Sequence, residues 1–298
     1  MTKKPPLTKK KSSWVENRAV VLRGQQLNYN VSQQRKHTRV ITKLVTLMTK
    51  ETKKALSKLF EGQIADSYFE KQKEEATITM DASIASQAKI LLNELSTKFN
   101  KLFRVRSKVI SEKMVNDLTK LSKSNLHSSL KKLSGGLSLK TGVISQGVKN
   151  VSTAIVAENV SLIKTISQDY FKNITGAVMR SITTGNGLAD LLPEINKYAR
   201  TTERKAKLMA LDQTRKAYNS INKQRMQNVG VKQFEWVHSY GGAQPRESHI
   251  KIDGHIFSFE NLEKEQAALG VPQADRGIPG HAINCRCTMN PVIDFSED

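Results

Sequence analysis

The sequence has only two cysteines and seven prolines in 298 residues, and aromatic residues make up 6% of it. Two cysteines give a chain of this length no disulfide framework, so a reducing cytoplasm is the expected setting. Proline is absent between Pro6 and Pro193, which leaves long helices unbroken. No run of about 18 apolar residues occurs, and this excludes a membrane-spanning helix. A hydrophobic share of 38% predicts a modest core under much solvated helix surface rather than full disorder. The opening Met1-Thr-Lys-Lys-Pro-Pro-Leu-Thr-Lys-Lys-Lys is basic but lacks the apolar stretch of a signal peptide. Residues 1–13 are expected to form a disordered basic tail.

What is abundant is positive charge. The formal net charge is +21, and its placement is uneven: residues 1–150 carry 30 Lys and Arg against 11 Asp and Glu, a net of +19, while 151–298 carry 18 against 16, a net of +2. This contrast points to a polyanion as partner of the first half. The plainer alternative is that surplus lysine keeps long helices soluble. Lys98, Lys101, Arg104, Arg106, Lys108, Lys131 and Lys132 are the candidates for diffuse contact with double-stranded DNA. No base-reading motif and no interleaved aromatics accompany them, so such contact would be made to phosphates, without sequence preference and weakening with salt.

Apolar periodicity predicts the helices. Ile41, Leu44, Val45, Met48, Leu56, Leu59 and Phe60 recur at three and four residues, giving an amphipathic helix ending near Gly62. Leu91, Leu95, Phe99, Leu102, Val109, Met114, Leu118 and Leu121 continue a longer one from about Asp81 to Leu133, where Ser134-Gly135-Gly136 would stop it. An antiparallel hairpin burying its own stripe is the expected arrangement of the two. Residues 137–150, rich in Gly and Ser, read as a linker. Helical pattern resumes from Val151, with a second element near Tyr170–Ile182 and a turn at Thr184-Gly-Asn-Gly187. A short helix then covers Leu188–Ala199, and another runs from a Thr202 cap to about Asn228, closed by Gly230.

The last third changes period. Phe234, Trp236 and His238 alternate as in a strand, and Asp253-Gly254 between alternating apolar residues predicts a hairpin over His249–Phe259. Glu260–Leu269 reads as a helix ending at Gly270, and Cys285–Val292 as a last strand. The expected fold class is therefore α+β, mainly α: an elongated basic helical first half, then helices leading into a small antiparallel sheet. The expected organisation is a tail at 1–13, a long-helix basic arm or hairpin at 14–136, a linker at 137–150 and a second domain at 151–298.

Both cysteines and four of the six histidines fall in this last third. On a strand, Cys285 and Cys287 would share one face, and His249, His281, Cys285 and Cys287 are the set that would hold zinc. The alternative is that both thiols are small buried side chains in a core. Without a second closely spaced ligand pair, packing and no cofactor are the expectation. A disulfide across one intervening residue is disfavoured by geometry. A hydrolase or nuclease site would draw on Arg246, His249, Asp253, His281, Cys285 and Arg286, with histidine as general base and arginines on a phosphate. No Ser/His/Asp order, phosphate-binding loop or metalloprotease helix accompanies them. The plainer reading is that these residues tie loops together.

Glu158-Asn-Val-Ser-Leu-Ile-Lys164, Thr184-Gly185, Thr202-Glu203, Ala210-Leu-Asp-Gln-Thr-Arg215, Trp236, Arg246-x-x-His249, Asp253-Gly254 and Pro279-Gly-His-Ala-Ile-Asn-Cys-Arg-Cys287 together resemble the phage Mu F-like minor head proteins, also called phage head morphogenesis proteins. The resemblance covers about Val151 to Pro291. It makes Trp236, Arg246, His249, Asp253, Gly254, His281, Cys285, Arg286 and Cys287 the motif core of the second domain. One departure is Ala282-Ile-Asn284 ahead of the cysteines, where the family often shows a proline. The resemblance implies a non-enzymatic virion component, present in few copies inside the procapsid. Its implied partners are the portal protein, capsid or scaffold proteins and packaged double-stranded DNA, whose delivery it would aid, with no membrane in the assembled head. It would reside in the capsid interior, and in the host cytoplasm during assembly.

Overall fold

A computed structural model describes residues 21–70, 77–133, 144–184, 188–241 and 244–294. The expected tail, the Ser134-Gly135-Gly136 stop, residues 137–143 of the expected linker and Gly185–Gly187 of the expected turn lie outside these. In chain order the elements are β1 (Val21–Arg23), α1 (Val31–Glu70), α2 (Thr77–Leu133), α3 (Gln146–Thr183) and α4 (Leu188–Asn228). There follow β2 (Gln233–Val237), α5 (Glu247–Lys251), β3 (Ile256–Ser258), α6 (Leu262–Ala268), a 3₁₀ turn (Gln273–Asp275) and β4 (Thr288–Asp294). The class is the expected one, mainly α with a small antiparallel sheet near the C-terminal end.

The four long helices form one bundle. α1 packs chiefly on α4, α2 chiefly on α3, and α3 on α4. One core joins Val45 and Met48 of α1, Phe99 and Phe103 of α2, and Tyr170 and Phe171 of α3, with the Phe99 and Phe171 rings stacked at 6.1 Å. A second core joins Leu118 and Leu126 of α2 and Tyr218 and Ile221 of α4 to Phe234, Trp236, Phe257 and Met289 from the sheet. α2 and α4 run through both cores, so each braces the sheet as well as the bundle.

This corrects two expectations. The basic first half is not a separate arm, because α2 supplies part of the core on which the sheet rests, and β1 is a strand of that sheet. Nor do α1 and α2 bury their stripes mainly on each other; α3 and α4 cover them.

Several expected breaks are absent. α1 continues through Gly62 to Glu70; one glycine costs a helix about 1 kcal/mol, which tertiary packing readily outweighs. α3 begins inside the expected linker, where Ser145 takes extended geometry and its hydroxyl accepts from Val148 N at 3.2 Å. α3 and α4 are each continuous where two elements were expected. At the expected Thr202 cap the helix runs on, and the neighbouring Thr201 hydroxyl donates back to Lys197 O at 2.8 Å.

The sheet order is β1-β4-β2-β3, antiparallel throughout. Arg23 pairs with Val292, Trp236 with Met289 and Phe234 with Phe257. Pro291 lies in a strand with neighbours on both sides. Its carbonyl accepts from Gly24 N at 2.8 Å, just beyond the end of β1, so its missing N–H faces the side where the neighbouring strand has ended. The Asp253-Gly254 hairpin is not formed. His249 and Ile250 belong to the short helix α5, and Ile252 is buried by a turn rather than by strand alternation. Gly254, at φ +80°, lies in the turn two residues ahead of β3, and its N–H donates to Trp236 O at 2.8 Å. The last strand begins at Thr288, so both cysteines lie in the loop ahead of it.

Candidate functional site

α5 presents His249 to that loop. The imidazole is 2% exposed, and the Trp236 ring packs edge-on against it at 4.9 Å between centroids. Its Nε2 lies 3.0 Å from Asp275 O, so with the proton on Nε2 it donates to that carbonyl. Nδ1 faces Cys285 Sγ at 3.5 Å and Cys287 Sγ at 3.7 Å. Both cysteines are free and buried. Among the described residues, these three are the only His/Cys/Asp/Glu group whose ligand atoms all lie within 4.8 Å of one another. His281, expected beside them, is elsewhere. Its Nε2 sits 3.3 Å from Ser220 Oγ on α4, at the edge of a separate cavity of about 770 Å³ that also contains Glu158 and Lys223.

Four elements hold the cluster. Arg246, just ahead of α5, donates from Nε to the Asp275 carboxylate at 2.8 Å and from Nη2 to Ile283 O at 2.8 Å. It thereby joins α5, the 3₁₀ turn and the cysteine loop. Ser248 Oγ donates to the same carboxylate at 2.7 Å. From α4, Asp212 accepts from Asn284 N at 2.8 Å, and the buried Asn219 donates to Pro279 O at 2.7 Å. Asp253 closes the loop after β2, accepting from His238 N at 2.8 Å and from the Tyr240 hydroxyl at 2.7 Å.

The thiols do not titrate alike. Cys285 Sγ lies 3.4 Å from both Gly280 N and Cys287 N, which donate to it. The Cys287 thiol and then His249, outweighing burial, bring Cys285 down to about 4. Cys287 is raised, first by its bond to Cys285, then by burial and the Cys285 charge. Burial works against charge on His249, but the bond to Cys285 and its charge, with the Asp275 carbonyl and carboxylate, prevail and raise it. Cys285 is thus the more acidic of the two thiols, and His249 and Cys285 each favour charge on the other. Trp236 Nε1, a buried donor with no ordinary hydrogen-bond partner, bears on Cys287 and favours negative charge there.

A cavity of about 450 Å³ opens beside the cluster, lined by His249, Cys285 and Cys287 and by four arginines: Arg204, Arg215, Arg246 and Arg286. Arg215 is 6% exposed, and its Nε has no hydrogen-bond partner. The resemblance motifs include Arg215, but the site expected from sequence did not. A signal existed: Asp212, Arg215, Asn219 and Asn222 are buried polar residues recurring at three and four along α4, a polar stripe at helical spacing on a core-facing side.

The candidate DNA contacts are all exposed on α2 but do not form one patch. Lys101 and Arg104 meet Lys164 of α3 in a cleft of about 440 Å³, whose other lining residues are Thr97, Asn100 and Gln168. Lys98 pairs with Glu51 of α1, and Lys108 with Glu112 one turn on. Lys131 and Lys132 lie in the last turn of α2, roughly 40 Å along the helix from Arg104 at 1.5 Å per residue. Arg106 is exposed between these groups. Lys164 was not among the expected contacts, because nothing in sequence spacing joins α2 to α3.

Comparison with known proteins fits this geometry. Residues 172–290 match the family described as phage Mu protein F like protein. That matched segment contains the histidine–cysteine cluster, the arginine-lined cavity, α4, β2 and β3. An uncharacterised protein of Haemophilus influenzae is 36% identical over 144 residues, which are 48% of this chain and 30% of that protein. The chain thus spans less than a third of the length of the curated relative it matches. No solved structure matches the chain significantly.

Proposed function

We propose that this chain is a minor head protein of a tailed bacteriophage, acting in head morphogenesis from inside the procapsid. In this reading it docks on the portal protein, meets capsid or scaffold proteins, and contacts packaged double-stranded DNA without sequence preference, aiding its delivery. The observation that carries the reading is the family match over residues 172–290, a family of phage head morphogenesis. Among the described residues no helix is long and apolar enough to cross a membrane, which accords with a place in the virion.

The DNA-contacting part of the reading is supported by the charge contrast between the halves and by the cleft of Lys101, Arg104 and Lys164, which has no carboxylate among its lining residues. Three cations converging there suit the oxygens of one or two phosphates. A binding role also suits the cluster, where among the described residues no carboxylate oxygen joins His249, Cys285 and Cys287 within 4.8 Å. The hydrolase alternative built on His249 and His281 together loses its second histidine, which lies in the other cavity.

The test is a salt titration of full-chain binding to duplex DNA of unrelated sequences. Equal affinity across sequences and a steep salt dependence are expected. Reversing Lys101, Arg104 and Lys164 to Glu should flatten the log–log salt slope by about 2–3, since each phosphate contact contributes about 0.9. Binding that ignores salt, or an unchanged slope in the triple variant, would remove the DNA-contacting part of the reading.

A further inference from the structure

We propose that His249 Nδ1, Cys285 Sγ and Cys287 Sγ bind one zinc-type divalent ion, whose fourth position opens on the arginine-lined cavity and takes an anionic oxygen ligand. The inference stands apart from the head-protein reading and does not need it.

The distances carry it. Zinc lies about 2.3 Å from thiolate sulfur and about 2.0–2.1 Å from imidazole nitrogen, so a tetrahedron around it has sulfur–nitrogen edges of about 3.5–3.6 Å. The two edges seen here are 3.5 and 3.7 Å. A pair of buried thiols that merely pack needs no common approach to a ring nitrogen. The ligand set is also oriented as metal ligands are: Nε2 of His249 is fixed by the Asp275 carbonyl, leaving Nδ1 free to ligate, and Cys285 Sγ receives two backbone N–H groups. Arg246 and Asp212 tie the supporting turns together, so the ligands are held by rigid neighbours rather than by a mobile loop.

The competing reading of the same atoms is a Cys285–His249 nucleophile pair. Cys285 is 3% exposed, and Cys287 Sγ shares the same ring nitrogen at 3.7 Å, so the imidazole is divided between two sulfurs rather than dedicated to one nucleophile. Three protein ligands leave one position, and the cavity touching all three is its outlet. The arginines set the sign of what enters. Arg215 is more than nine-tenths buried, with an unpartnered Nε, and Arg204 and Arg286 stand beside it. An oxyanion such as inorganic phosphate fits both the metal and these donors.

Metal analysis of the full chain, purified under reducing conditions, tests the site. About one equivalent of zinc is expected, falling at least tenfold in Cys285→Ser, Cys287→Ser and His249→Gln, and unchanged in His281→Gln. To separate loss of metal from loss of fold in the ligand variants, the wild-type chain is also stripped and loaded with cobalt(II). Visible bands of tetrahedral cobalt with thiolate charge transfer are expected, saturating at one equivalent. Wild-type protein without zinc and without those bands, or a His249→Gln variant that keeps full metal, would overturn the site. Adding inorganic phosphate to the cobalt form should shift the visible bands. Bands that stay fixed would refute the open anionic position.

Discussion

Gly280 shows how closely single residues fit around the cysteine loop. It has φ +84°, and a Cβ there would lie 2.6 Å from Asn219 Nδ2, the donor that holds Pro279 O. The left-handed backbone costs an L-residue about 1–2 kcal/mol, and the clash adds loss of a buried hydrogen bond of roughly 1–3 kcal/mol. Gly230 has φ +83° but nothing within 4 Å of a Cβ. In urea unfolding, Gly280→Ala should therefore lower stability by about 2–5 kcal/mol, against about 1–2 for Gly230→Ala. Equal losses in the two variants would show that Asn219 yields freely and that the loop is less constrained than its contacts imply. Gly230 as a helix terminator was legible in the sequence, since a glycine after a long periodic run has few other uses. Gly280 was not, because its constraint comes from a side chain 61 positions earlier.

Between elements, the contact of α1 with α2 contains a buried histidine. His37 Nε2 lies 3.6 Å from Asp117 Oδ2, close enough for an ion pair were the ring charged. Burial, with Lys113 and Lys36 adding to it, outweighs Asp117 and lowers the His37 pKa below its ordinary 6.5. The folded state thus holds fewer protons here than the unfolded one between the two pKa values. The stability contribution is complete above about pH 6.5 and is lost as pH falls through the folded pKa. Midpoint temperatures should drop from pH 7 to pH 5, and His37→Gln should reduce that drop; a steeper drop in the variant would mean the ring is charged and paired with Asp117. His238 and His281 are lowered too, each mainly by burial, so some slope should persist. The strongly periodic helices were readable from sequence, whereas their breaks were not. Gly62 and Thr202 are local signals of modest strength, and a single glycine or threonine costs a long helix at most about 1 kcal/mol. The Asp253-Gly254 hairpin failed for a different reason: Asp253 is used to hold His238 N and Tyr240, and His249 is needed on a helix to reach the cysteines.

At the scale of the molecule, the charge boundary near residue 150 is not a boundary of folding. The sequence shows one change of composition there, and a domain limit was the natural inference from it. Core membership was hidden because contacts between α2 and the sheet join residues about 100 or more positions apart. Ser129 Oγ donates to Gln25 O at 2.8 Å, and Asn125 Nδ2 donates to Asn28 O at 2.8 Å. These anchor the segment after β1 to α2, while Leu27 N donates to Met289 O at 3.0 Å. A fragment of residues 151–298 would lose β1 and expose one side of β4. It would also strip Asn125 from the Tyr218 hydroxyl and remove Leu118, Leu126 and Leu130 from the core that holds Tyr218 and Ile221. Each large side chain lost from that core forfeits about 1.5–3 kcal/mol, and a domain's whole margin is about 5–15 kcal/mol. The fragment should therefore fail to give a cooperative thermal transition and should bind a hydrophobic dye, although it contains the entire family match. A fragment that instead melted cooperatively at the temperature of the full chain would show that the family segment folds without α1 and α2, and that the basic half is attached to it rather than built into its core.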